Sequence, residues 1–232
     1  MKIWHWAADT LVNVWSTTKG VTAACFAMLA DRGGIDLAAP VARYWPEFAA
    51  AGKQDVTVAM LLSHQAGLCG FRNPALMEDF YDAEAAALAN PLIDPLAPNH
   101  AAWRAAEIPS ANGFATARGL ARLYGALAHD GRLDGQRLVA PEVIARATAE
   151  QISGLDAVLS VEASWGCGFL RNSTGVYGPN SAAFGHSGWG GSFAFADPDS
   201  RIGMAYTMNR MGTDLMGDPR NMALIAAVYA SL

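Results

Sequence analysis

From Ser16 to Arg32 apolar residues recur at helical spacing, with Val21, Ala24, Cys25, Met28 and Leu29 on one face, and Gly33-Gly34 follows as a C-terminal cap. Thr57 to Ser63 (TVAMLLS) predicts a second, short helix, and the segment after it, HQAGLCGFRNP, is rich in turn residues. Met77 to Ala89 predicts an alanine-rich helix. From Asn90 to Asn112 four prolines, Pro91, Pro95, Pro98 and Pro109, predict extended or looping chain. Thr116 to His129 returns to helical periodicity, with Leu120, Leu123, Tyr124 and Leu127 on one side. DGRLDGQRLV carries the turn chemistry of a short hairpin, and Pro141 opens a helix expected to run through Gln151. After about Ser160 the pattern changes. SWGCGFL, SFAFADP and RIGMAYTMN are short, rich in aromatic and apolar residues, and punctuated by Gly or Asp-Pro, which predicts antiparallel strands. Asn221 to Leu232 closes the sequence as an apolar helix. The layout predicts a single α+β domain over 1–232, with a helical lobe at about 16–151 and a sheet lobe at about 160–232.

Bulk composition narrows the function classes. Hydrophobic residues make up 52% and charged residues 16% of the 232, which suits a packed globular protein and not a disordered one. With a net charge of -5 and no run of Lys or Arg, nucleic acid is not an expected partner. Three widely spaced cysteines, Cys25, Cys69 and Cys167, argue against a disulfide framework. No apolar run is long enough for a membrane span, and MKIWHWAADT lacks the pattern of a signal peptide, so the expectation is a soluble, cytoplasmic protein.

The candidate chemistry begins at Ser16-Thr17-Thr18-Lys19, an S-x-x-K motif. On a helix, positions i and i+3 share a face, so both side chains can enter one cleft. Serine needs a base to become nucleophilic, and a lysine kept neutral by burial can serve. A helix N-terminus adds N–H groups where an oxyanion would develop. The plainer alternative is a capping serine and a surface lysine. Twelve serines and three lysines would give about 0.15 such motifs by chance, so S-x-x-K alone does not decide between the two. Gly185-His186-Ser187-Gly188-Trp189 nearly spells the G-x-S-x-G nucleophile elbow, but Trp189 stands where glycine is needed and a strand is expected next. His64 reads as a turn-holding residue, and Trp4, Trp6 and Trp15 as core or cleft lining. The histidines and cysteines have no metal-ligand spacing, and no cofactor is implied.

The wider text decides between these readings. DTLVNVWSTTKGVTAACFAMLADRGGIDLAAPVARYWPEF resembles the nucleophile region of β-lactamase-fold carboxylesterases, the family VIII-type serine esterases related to class C β-lactamases and penicillin-binding proteins. TVAMLLSHQAGL, IPSANGFATARGLARLYGALAHDGRLDG and AFGHSGWGGSFAFADPDSRIGMAYTMNRMG resemble later segments of that family, in the family's order. The resemblance implies a small ester as substrate and an acyl-enzyme on Ser16, with Lys19 as base. It places the family's third motif on His186-Ser187-Gly188, with the N–H of Trp189 as an oxyanion donor beside that of Ser16.

Two family features find no match. MEDFYDAEAAALA runs almost directly into NPLIDPLAPNHAAW where the tyrosine motif should lie, and the surroundings of Tyr81 resemble the family's region before that motif, so Tyr81 is not taken as its tyrosine. The N-terminal helix and first strands of relatives also have no counterpart. Loss of such segments would uncover apolar faces, so a homo-oligomer is a further expectation. Two alternatives stay open: a β-lactam or amide hydrolase of the same fold, and a non-catalytic binding or assembly protein derived from it.

Overall fold

Capping residues set the helix boundaries. In the computed structural model, which describes residues 6–67, 94–157 and 159–232, the first long helix α1 spans Thr17–Asp31, with Ser16 at its N-cap position. Gly33, with φ +72, closes the helix as its N–H and that of Gly34 return to the carbonyls of Ala30 and Leu29. Thr57 caps α2 (Val58–Leu62) by accepting the Met60 N–H at 3.1 Å, and Thr116 caps α4 (Ala117–Ala128) through Gly119 at 3.0 Å. Between them α3 (Ala101–Ala105) is one short turn of helix inside the proline-rich stretch. α5 (Pro141–Thr148) stops short of the expected Gln151, and α6 (Pro219–Tyr229) starts on its Asp218 cap. The expected helix Met77–Ala89 lies outside the described residues, as do Trp4, Cys69 and Tyr81.

Two short strands, β1 (Val12–Asn13) and β2 (Phe114–Ala115), pair antiparallel, and β3 (Arg132–Leu133) with β4 (Gln136–Arg137) forms the expected hairpin around Asp134-Gly135. The main sheet comprises β5 (Ile152–Leu155), β6 (Glu162–Trp165), β7 (Leu170–Arg171), β8 (Phe184–Ser187), β9 (Phe193–Asp197) and β10 (Ile202–Tyr206). Each strand pairs antiparallel with the next, in the order β10-β9-β8-β7-β6-β5. This sheet begins upstream of the expected boundary near Ser160. Helices and an antiparallel sheet packed together are the α+β architecture that the sequence pattern and the resemblance imply.

Strand periodicity divides the core between the two faces of this sheet. Ala194 and Ala196 of β9, with Phe184 of β8, pack beneath α1, α4 and α5. Phe193 and Phe195 face the other way, against Trp165, Tyr177 and Ile225 of α6. Each buried Phe contributes on the order of 2–3 kcal/mol through removal from water. Of the apolar stripe expected on α1, Ala24 is buried and Val21 and Met28 pack against the core, but Cys25 and Leu29 do not. Thr17, Thr18, Gly20, Ala23, Ala24 and Ala27 are the buried positions, while Cys25 and Leu29 are exposed. Small residues let the helix lie close to the sheet. A Cβ on Gly20 would overlap the Tyr124 hydroxyl and come within 3.1 Å of His186 Cβ. That close approach fixes the start of α1 against β8. Among the described residues no helix is long and apolar enough to cross a membrane.

Candidate active site

The turn into α1 is strained. Trp15 has φ 46, a left-handed conformation unusual for a bulky side chain. Packing holds it there: its ring lies 5.5 Å from that of Trp103 and 5.1 Å from that of Trp189, centroid to centroid. Trp103 is itself anchored by its Nε1–H, which donates to Asn13 Oδ1 at 3.0 Å. Of the tryptophans read as core or cleft lining, Trp15 is buried and Trp6 is 45% exposed.

Ser16 follows this turn. Its side chain makes no capping hydrogen bond, so its oxygen is free for another role. Lys19 Nζ lies 3.1 Å from Ser16 Oγ and donates to the Ser110 carbonyl at 2.9 Å. The segment that carries Ser110 is laced along the first turns of α1: Thr18 Oγ1 accepts the Gly113 N–H, and Thr22 Oγ1 donates to the Pro109 carbonyl. This wrapping buries the lysine and pulls its pKa down to about 8, since water no longer solvates the ammonium. The capping-serine and surface-lysine alternative therefore does not describe the pair.

The helix N-terminus contributes less than the sequence suggests. The N–H groups of Thr17, Thr18 and Lys19 are donated to the carbonyls of Val14, Trp15 and Ser16, whereas that of Ser16 is not donated to any described residue.

The end of β8 closes on this turn from the other side. Ser192 Oγ donates to the Val14 carbonyl at 2.7 Å, so the 3.0 Å contact between Thr17 and Ser192 has the threonine as donor. A Cβ on Gly188 would overlap both the Val14 carbonyl and the Ser192 hydroxyl, and it would sit 2.9 Å from Thr17 Oγ1. Glycine is thus required by close backbone approach. The Trp189 N–H, like that of Ser16, is not donated to any described residue. Ser187 faces away from α1 and shares a 3.2 Å hydrogen bond with the Tyr177 hydroxyl.

His186 is buried, on the face of the sheet that meets α1. Its Nδ1 is 2.7 Å from the Ser187 carbonyl, which assigns the proton to Nδ1 and leaves Nε2 as an acceptor with no partner among the described residues. Burial, followed by the charge of Lys19, pushes its pKa down to about 3, so the ring is neutral at physiological pH. Trp165 contacts this ring at 5.5 Å and that of His64 at 4.7 Å, centroid to centroid, both tilted. His64 has φ 64, and shielding of its ring, then the Lys19 charge, lowers its pKa.

The structure therefore gathers Ser16, Lys19, Gly188 and Trp189 at one turn, sets His186 close behind it and directs Ser187 elsewhere. The Ser110 carbonyl and the Thr17–Ser192 bridge were not anticipated. A backbone acceptor carries no residue-type signal, and Thr17 lies inside the motif at a position that the motif leaves unspecified.

The chain matches the Beta-lactamase family over residues 2–95 and 79–227. It is 30% identical to the Mycobacterium tuberculosis protein named esterase/beta-lactamase LipL, over 91% of this chain and 72% of that protein. The match spans 312 residues while using fewer than 232 of this chain, so the relative carries residues within the matched stretch that have no counterpart here. The crystal structure of a family VIII carboxylesterase superposes with a TM-score of 0.92 at 39% identity, covering 98% of this chain and 85% of the other. A penicillin-binding protein homologue from Caulobacter crescentus gives 0.89 at 38% identity, with the same coverage.

Proposed function

Because this chain belongs to the beta-lactamase family, with an esterase/beta-lactamase and a family VIII carboxylesterase among its relatives, we propose that it is a serine hydrolase that cleaves small carboxylic esters through an acyl-enzyme on Ser16. The observation that carries the reading is the buried Lys19 amine, 3.1 Å from Ser16 Oγ and shifted to a pKa of about 8. In its neutral form the amine accepts the Ser16 proton as Oγ attacks the ester carbonyl. The tetrahedral oxyanion then lies between the N–H groups of Ser16 and Trp189. Collapse expels the alkoxide, which takes the proton from Lys19, and leaves an ester bond on Ser16. Water attacks that bond and gives its proton to Lys19. The acid departs and Ser16 Oγ recovers the proton. His186, a neutral ring whose Nε2 is buried without a partner among the described residues, helps orient the reacting groups from behind the turn. A cytoplasmic setting fits the unpaired thiols of Cys25 and Cys167.

The same neutral His186 disfavours a β-lactam substrate, since it offers no cation to a drug's carboxylate. The non-catalytic reading has one observation in its favour: among the described residues no tyrosine hydroxyl hydrogen-bonds to Ser16 or Lys19.

A fluorophosphonate probe tests the proposal. A single adduct on Ser16, absent from Ser16→Ala, together with p-nitrophenyl ester turnover that the same substitution abolishes, is the expected result. A folded wild-type protein that takes up no label would overturn the hydrolase reading in favour of the non-catalytic one.

A further inference from the structure

The proposed mechanism places an oxyanion donor in the loop between β8 and β9, and the carbonyls of that loop are held from outside it. The Gly190 carbonyl accepts from the Gly212 N–H at 2.8 Å and from Arg220 Nη2 at 3.0 Å. The Gly191 carbonyl accepts from Asn221 Nδ2 at 2.8 Å. Both side chains come from the first turn of α6. Arg220 is in turn fixed by a fork to Asp218, with Nε to Oδ1 at 2.9 Å and Nη2 to Oδ2 at 2.6 Å, and by Nη1 to the Arg210 carbonyl at 2.7 Å. The Asp218 carboxylate is buried, 3% exposed, and also accepts the Arg220 backbone N–H.

The glycines fit around this ion pair. A Cβ on Gly191 would sit 2.8 Å from Arg220 Nη2, and one on Gly212 would sit 2.7 Å from Asp218 Oδ2. Inside the loop the Gly188 carbonyl accepts from the Gly191 N–H at 3.1 Å. In a trans peptide the C=O and N–H point in opposite directions, so this bond turns the Trp189 N–H away from the loop interior. The orientation of that N–H thus depends on Gly191, whose carbonyl Asn221 holds and whose neighbour Gly190 is held by Arg220.

We infer that Arg220, locked by Asp218 and seconded by Asn221, is the positioning residue that aims the Trp189 N–H at the oxyanion. It touches no substrate and acts only through the loop. The inference rests on the hydrolase reading above. It also makes a distinction that mere loop stability does not: a pre-aimed donor serves the transition state more than the bound ester, so its loss lowers kcat and leaves KM unchanged.

The test is ester turnover by Arg220→Met and Asn221→Ala, with binding of a boronic acid transition-state analogue measured in parallel and folding checked by near-UV circular dichroism. Arg220→Met is expected to lose on the order of 10²-fold in kcat, the scale of one misplaced oxyanion donor, with KM within about twofold. Boronate affinity should fall with kcat, and the pH profile set by Lys19 should not move. If Arg220→Met does not fold, Asn221→Ala carries the test with a smaller expected loss in kcat and the same constant KM. A folded variant with wild-type kcat, or one in which KM rises while boronate affinity holds, overturns the inference alone. A wild-type protein inert to fluorophosphonate removes the hydrolase reading and this inference with it.

Discussion

Replacing Lys19 with methionine keeps most of the length of the side chain and removes the amine. Two consequences follow from the burial that lowers its pKa from 10.5 to about 8. At 1.36 kcal/mol per unit, the fold disfavours the ammonium by about 3 kcal/mol. Below pH 8 the lysine is protonated in both the folded and unfolded chains, and that penalty is present in full. Between pH 8 and 10.5 the unfolded chain still holds the proton while the folded one has released it, so wild-type stability rises with pH relative to the variant. Urea unfolding of both proteins at pH 7 and pH 10.5 should show the stability difference moving by about 3 kcal/mol toward the wild type. At pH 7 the variant gains from losing the buried charge, against about 1 kcal/mol for each of two lost hydrogen bonds. Its reactivity tells the other half. Labelling of Ser16 by fluorophosphonate should rise about tenfold in the wild type from pH 7 to a plateau above pH 9, with an apparent pKa of about 8, and should be lost in Lys19→Met. A wild-type rate still climbing tenfold per unit at pH 10 would mean an unshifted lysine. A flat profile, or a stability difference that ignores pH, would remove Lys19 as the base.

The neighbouring residues make further demands. His186, lowered to about 3 by burial and then by Lys19, stays neutral in the folded protein while the unfolded chain takes up a proton below about pH 6.5; stability should therefore decline from pH 6.5 toward pH 3, and His186→Gln should flatten that slope in denaturation series. Ester turnover should fall below pH 8 with the single slope set by Lys19; a second inflection near pH 6.5 that steepens the fall would refute a neutral His186. Gly20→Ala drives a methyl into the Tyr124 hydroxyl and should destabilise the fold by about 1–3 kcal/mol in thermal unfolding. Tyr124→Phe removes a buried hydroxyl with no partner among the described residues, so it should be neutral or stabilising alone and should rescue much of Gly20→Ala.

What the sequence discloses follows from the physics of each feature. Thr57 and Thr116 announce helix starts because a capping hydroxyl is a local interaction, and both accept the expected N–H. Ser16 and Lys19 are legible as a pair because helical geometry alone brings them together. The buried face of α1 is legible only in part, at Ala24 with Val21 and Met28 beside it, since the rest is Thr, Gly and Ala, whose selection by close approach leaves no hydropathy signal. Nor is β5, an edge strand with all four residues exposed and Gly154 at φ +133, where alternation has no buried face to mark. The Lys19 bond to the Ser110 carbonyl and the Arg220 bond to the Gly190 carbonyl span 91 and 30 positions, and nothing at either end identifies them beforehand.

The bridge between Thr17 and Ser192 joins residues 175 positions apart. A ribosome adds roughly 5–20 residues per second, so the serine and its lysine emerge on the order of 10–30 s before the hairpin that completes their surroundings. During that interval the nascent chain would hold the proposed nucleophile and base without the proposed second oxyanion donor. On the proposed mechanism, the long sequence separation that makes the site slow to assemble also keeps it silent until nearly the whole described sequence has been made.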